Sequence, residues 1–189
     1  MKPSNIFLIL CAAAMAVIGI WLLIDGANTA RVIAAIAGAV AVAILPLIDR
    51  WLNVRLPVWL KVWYGLFILG SLLIGTTFDM YHRLDAWDAV LHLLSGVLVA
   101  GFGIVLLHQR FGKLKVVLPF SGRIILIGMF SATVAFLWEV AEFASDNFFG
   151  TMSQNNSVTD TMLDMIYGTG TGIIAASIYY ALRSHRRRK

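Results

Sequence analysis

The chain has 189 residues, 60% of them hydrophobic and only 13% charged, with a mean hydropathy of +0.84. A soluble globular domain averages about 25% charged residues, so this composition excludes an ordinary water-soluble core. One cysteine, Cys11, excludes an intrachain disulfide and a cysteine metal cluster. The net charge of +5 would suit nucleic acid, but the order of the basic residues along the chain points to membrane topology instead, and no nucleic-acid partner is expected.

Six apolar runs, each near the roughly 20 residues needed to cross a bilayer, fall at about 6–24, 30–48, 56–78, 86–107, 124–144 and 161–182. They predict an all-α fold: a polytopic transmembrane helical bundle forming a single integral membrane domain over 1–189. The first run is longer than a signal-peptide core and has no clear small-residue cleavage site, so it reads as an uncleaved helix with Cys11 as a small buried hydrophobe. After the turn DGANTA, the second span is rich in Ala and Gly and should stop at Pro46 and Asp49-Arg50. Trp51, Trp59 and Trp63 cluster near the start of the third span like an interfacial belt, where Lys61 can extend to the headgroups.

Assigning each basic residue to a side tests the six-span reading. With the N-terminus cytoplasmic, 13 of the 15 Lys and Arg fall inside, and only Arg31 and Arg83 fall outside. That asymmetry places both termini in the cytoplasm. Nine of the 10 acids lie on or toward the outer side, Asp49 being the exception. The terminal SHRRRK is a topology anchor drawn to anionic lipid.

Polar residues gather in the C-terminal half. Asp79, His82, Arg83 and Asp85 form a short external turn, and the fourth span then enters the membrane with Asp88 and His92. Four residues apart, these two share a helix face, which continues to Ser95, Gly96 and Val99. Glu139 and Glu142 lie in the last turns of the fifth span, followed by Asp146. The sixth span begins near Asp160, carries Asp164 one turn in, and then presents Gly168 and Gly172 as GxxxG, which lets another helix backbone approach.

Helix capping accounts for Asp85 and Asp160 as well as function does. Glu142, Asp146, His82 and Asp79 read as solvated helix ends, and His108 and His185 as incidental residues near the inner surface. Capping does not account for His92 or Glu139. An acid placed mid-helix costs about 2.5 to 3.5 kcal/mol on insertion scales, so it must be protonated, paired or bound to a metal. Arg83 is the one candidate cation nearby in sequence. Asp88, His92, Glu139 and Asp164 are therefore the candidate metal ligands, with Glu139 or His92 as general base and Glu142, Asp160, Gly168 and Gly172 in support. Mixed carboxylate and imidazole ligands suit a divalent cation such as Zn, Mn or Mg. The alternative is a structural hydrogen-bond network.

Residues 79–176 resemble the VanZ-like membrane proteins and, more closely, the bacterial inner-membrane family that includes YjdF. The likeness rests on Asp-x-x-x-His at Asp88 and His92, Trp-Glu at Trp138 and Glu139, and DTMLDM carrying Asp160, Asp164 and Met165, followed by Gly168 and Gly172. VanZ-like proteins usually show Asn after the Asp where this chain has Asp164, and the glycine here comes one residue later. The resemblance implies a bacterial cell membrane location and supports the site, but carries no established activity with it. Three functions stay open: an enzyme or accessory factor acting on an envelope lipid or cell-wall precursor, a cation- or proton-coupled transporter, and a non-catalytic scaffold. The lipid bilayer is the expected surrounding and a lipid-linked molecule the expected substrate, while the sequence specifies no oligomeric state.

Overall fold

The computed structural model describes residues 3–115, 117–150, 153–154 and 157–186. Every regular element among them is helical: α1 (Pro3–Ile24), α2 (Thr29–Trp51), α3 (Val58–Ile68), a π-helical segment (Leu69–Thr77), α4 (Met80–Arg83), α5 (Trp87–Lys113), α6 (Phe120–Phe149) and α7 (Val158–Arg186). Six stretches are long and apolar enough to cross a membrane, the third being α3 together with the π segment. The fold is all-α, as composition and run length require.

Helix ends depart from the expected ones for physical reasons. Pro46 does not stop α2, which runs on to Trp51. Proline forfeits one backbone hydrogen bond, yet in an apolar surrounding every other backbone group is best satisfied inside the helix, so the helix continues past it. At the far end of the chain's fifth span, α6 stops at Gly150, which adopts φ +64° and donates its N–H to Asp146 O at 3.1 Å. That left-handed conformation costs glycine nothing and satisfies a terminal carbonyl.

The chain divides into two compact units, Met1–Leu91 and His92–Lys189, with the boundary in the second turn of α5. In the first unit α2 lies against α1, α3 and the π segment. Lys61 does not extend to the headgroups. It is 4% exposed, pairs with Asp49 and donates to Asn5 Oδ1 at 3.3 Å. The one acid that broke the outward trend is thus the counter-ion of a buried lysine. Thr77 closes the π segment by donating to Leu72 O at 2.8 Å, and its own carbonyl accepts from Arg31 Nε at 2.6 Å. Cys11 is buried on α1.

In the second unit a stripe from each of three helices faces inward. Ala100, Ile104 and Leu107 of α5, Ile127 of α6, and Ala176 and Tyr180 of α7 make the apolar core. Outward faces carry Met129, Phe136, Ile166, Ile174 and Ile178, all exposed. Large side chains that protein leaves uncovered, on helices of this length, are what a bilayer solvates.

Candidate functional site

The three stripes continue past the apolar core into polar residues at a four-residue interval. On α5 the stripe reads His92, Gly96, Ala100; on α6 it reads Ser131, Ala135, Glu139; on α7 it reads Asp164, Gly168, Gly172, Ala176. Residues four apart lie one above another on a helix face. Small residues in the middle of each stripe therefore let the helices close, and the ionisable residue one or two turns on is delivered to the same place.

Glycine makes the approach close. A Cβ added to Gly96 would collide with Gly168 O and Thr171 Oγ1, and one added to Gly172 would collide with Ser131 Oγ. At Gly168 a Cβ would come 3.4 Å from Ala135 Cβ and 3.8 Å from His92 O. The GxxxG pair of α7 is thus a crossing point, with α5 on one side and α6 on the other. His92 lies one turn from Gly96, and Asp164 one turn from Gly168.

At the head of these stripes His92 Nε2 stands 4.0 Å from Glu139 Oε1 and 4.0 Å from Asp164 Oδ2. All three side chains are buried: His92 is 6% exposed, Glu139 4% and Asp164 4%. His92, Glu139 and Glu142 each offer a ligand atom within a 4.8 Å group. Two ligand atoms on one divalent ion lie no farther apart than two bond lengths, about 4.2 Å. The 4.0 Å separations fall inside that limit.

Each of the other expected residues has its own local setting. Asp88 is half-buried in the first turn of α5, one turn before His92 on the same face. Glu142 accepts from Trp138 Nε1 at 2.8 Å, so part of its carboxylate holds an indole on its own helix. Asp160 is not the cap of α7. Ser157 is, because its Oγ accepts from Asp160 N at 3.2 Å and its carbonyl from Thr161 N at 3.2 Å. Asp160 thereby occupies the third helical position, where an acid is favoured by the helix dipole. Asp85 precedes the cap of α5 as well, since Ala86 O accepts the first bond, from Val90 N at 3.0 Å. Arg83 is exposed on α4, in the first unit. His82 is also exposed there, and it bonds the half-buried Asp79 just before α4 at 2.7 Å.

Two residues carry more than the sequence suggested. Asp146 is no idle solvated end: its two carboxylate oxygens accept from Ser153 N at 2.8 Å and Gln154 N at 3.0 Å. That clamp turns Gln154 inward, where its Nε2 donates to Glu139 O at 3.3 Å and approaches Glu139 Oε2 at 3.4 Å. Gln154 was missed because a loop glutamine has no periodicity to betray its direction. Its one sequence signal is the acid eight residues earlier, which draws the loop N–H groups onto the end of α6.

A family model described as "Predicted membrane protein (DUF2238)" matches residues 7–185. An "Uncharacterized protein" of Thermotoga maritima is 27% identical over 112 residues, covering 59% of this chain and 57% of that protein. The chain therefore aligns with less than two thirds of that relative's length. No solved structure matches.

Proposed function

The chain belongs to that DUF2238 family of membrane proteins, and from this premise we propose that it is a multi-pass protein of the bacterial inner membrane whose buried carboxylate–imidazole centre holds a divalent cation and acts on an envelope lipid or cell-wall precursor. The observation that carries the reading is the meeting of His92, Glu139 and Asp164, each buried, with both acids 4.0 Å from one imidazole nitrogen. Two carboxylates facing a single imidazole leave the group short of positive charge, which a buried site must make good with a proton or a cation. The donor set suits Zn, Mn or Mg.

Such an ion, when bound, would neutralise a substrate phosphate and activate water. Asp164 and His92 would hold it, with Asp88 extending the same α5 face with a further carboxylate, and Glu139 would be the general base, oriented through Gln154. Glu142 assists while anchored by Trp138. The uneven distribution of Lys and Arg, 13 of 15 on one side, supports both termini in the cytoplasm and so an outward-facing centre. The resemblance of residues 79–176 to the YjdF-containing and VanZ-like proteins supports a bacterial envelope setting.

Cation- or proton-coupled transport would need the polar path to continue along the unit. Beyond the centre come Ala100, Ile104, Ile127 and Ala176, all buried and apolar, which favours a site open to one side. A scaffold role would make the ionisable residues dispensable.

The test is metal content and turnover of the purified full chain. Equilibration with Zn, Mn or Mg should leave about one ion per chain by elemental mass spectrometry, lost in His92→Ala and Asp164→Asn and kept in Glu139→Gln. Labelled polyprenyl or glycerolipid phosphates should be converted only by the loaded wild type, with a loss of roughly 100-fold or more in Glu139→Gln. Metal content equal in wild type, His92→Ala and Asp164→Asn would sink the centre. Retained turnover in Glu139→Gln would remove its role as base, and cation-driven uptake in proteoliposomes would replace the enzymatic reading with a transport one.

A further inference from the structure

At the other end of the second unit, a basic and aromatic cluster stands where the sequence suggested only an incidental histidine. His108 of α5 packs against both Tyr179 and Tyr180 of α7, with ring centroids 5.8 and 5.7 Å apart. The tyrosine rings meet edge to face at 5.1 Å, and Tyr180 is 2% exposed. Two arginines from different helices are seated on this aromatic base. Arg123 of α6 lies with its guanidinium carbon 5.3 Å from the Tyr180 ring centre, and Arg183 of α7 lies 6.0 Å from that of Tyr179. Arg183 Nη1 also donates to Tyr179 Oη at 2.9 Å and sits 3.2 and 3.3 Å from the His108 ring nitrogens.

The charge balance here is one-sided. Within the unit all five acids lie between residues 139 and 164. Arg123 is 16 residues from Glu139 along α6, about 24 Å, and Arg183 is 19 residues from Asp164 along α7, about 28 Å. Among the described residues of the unit, no carboxylate neutralises either guanidinium. Their seating also conserves donors: a ring face holds Arg123 without using its N–H groups, and the contacts of Arg183 with Tyr179 and His108 engage only Nη1. Both arginines are half-buried, so each is held in place yet reachable.

We infer that Arg123, Arg183 and His108 form a binding site for a phosphate group, distinct from the carboxylate–imidazole centre and independent of it. Paired guanidinium forks match the oxygens of a phosphate, and a rigid aromatic base lowers the entropic cost of aligning them. The phosphate can come from a lipid headgroup or from a free ion, since both present the same oxygens.

The purified full chain in zwitterionic detergent would be titrated with short-chain phosphatidylglycerol, with short-chain phosphatidylcholine, and with inorganic phosphate, binding being read by native mass spectrometry. Saturable binding of phosphatidylglycerol, weakened about tenfold in Arg123→Lys/Arg183→Lys, is expected; these substitutions keep the charge and lose the forks. Arg110→Gln, at an exposed position near the end of α5, should bind as wild type does. Inorganic phosphate that binds alone with the same arginine dependence identifies the free ion as the ligand, whereas phosphatidylglycerol binding that millimolar phosphate does not displace identifies a headgroup. Absence of saturation with every probe, or equal weakening by Arg110→Gln, overturns the site and leaves only diffuse attraction. Loss of the metal centre would not alter this result, because none of its ligands is involved.

Discussion

Buried charge is the theme at the residue scale. Lys61 and Asp49 neutralise each other inside the first unit, Lys61 being 4% exposed. Removing one partner leaves the other charge buried and uncompensated, which typically costs about 3 to 5 kcal/mol. Lys61→Met should therefore lower thermal stability in detergent markedly, and adding Asp49→Leu should recover most of the loss. A double variant no more stable than the single one would show that the pair is not acting as a unit. His92, Glu139 and Asp164 contrast with this closed pair, having two acids for one imidazole at equal distance. That imbalance is what turns a buried polar group into a proposed cation site.

For the helices as elements, the decisive residues are those with the smallest side chains. Gly96 and Gly172 each sit where an added Cβ would meet a neighbouring helix, Gly168 O and Thr171 in one case and Ser131 in the other. Gly96→Leu should push α5 from α7 and separate His92 from Asp164 without replacing any ionisable residue. The expected outcome is a folded, helical protein by circular dichroism whose bound metal falls at least tenfold, in the range of losses seen when supporting groups are disturbed. Metal retained at wild-type level would mean that the crossing does not position the ligands. The connection between α6 and α7 works toward the same end, since Asp146 clamps the loop and Gln154 reaches back to Glu139. The π segment likewise shows an element shaped by its setting: Thr77, fully buried, takes an i−5 carbonyl as partner and links it to Arg31.

On the scale of the whole molecule, six membrane-length helices and a one-sided distribution of basic residues call for a single orientation. Alkaline phosphatase fused after residue 113 or at the C-terminus should be inactive, and fused after Asp85 it should be active. The reverse pattern would turn the candidate centre toward the cytoplasm. Within the second unit the polarity is already graded, from His92, Glu139 and Asp164, through Ala100, Ile127 and Ala176, to Tyr180 under Arg123 and Tyr179 under Arg183. Both chemically distinctive ends lie on the same three stripes. A four-residue repeat of inward positions thus carries both proposed sites with an apolar divide between them.

Much of this was legible in the chain alone. Run length and hydropathy specify six spans and an all-helical fold, because lipid offers the backbone no partners outside its own helix. The i, i+4 intervals place Asp88 with His92 and Gly168 with Gly172 on common faces, since that spacing is a property of one helix and needs no neighbour. What faces what is another matter. The burial of Lys61 against Asp49, the inward reach of Gln154 and the gathering of His108, Arg123, Arg183 and two tyrosines all depend on how separate segments pack. Periodicity gives each helix an inward side, but the distance across which two such sides meet is decided by side-chain volume at the crossing, and that is settled only in the folded chain.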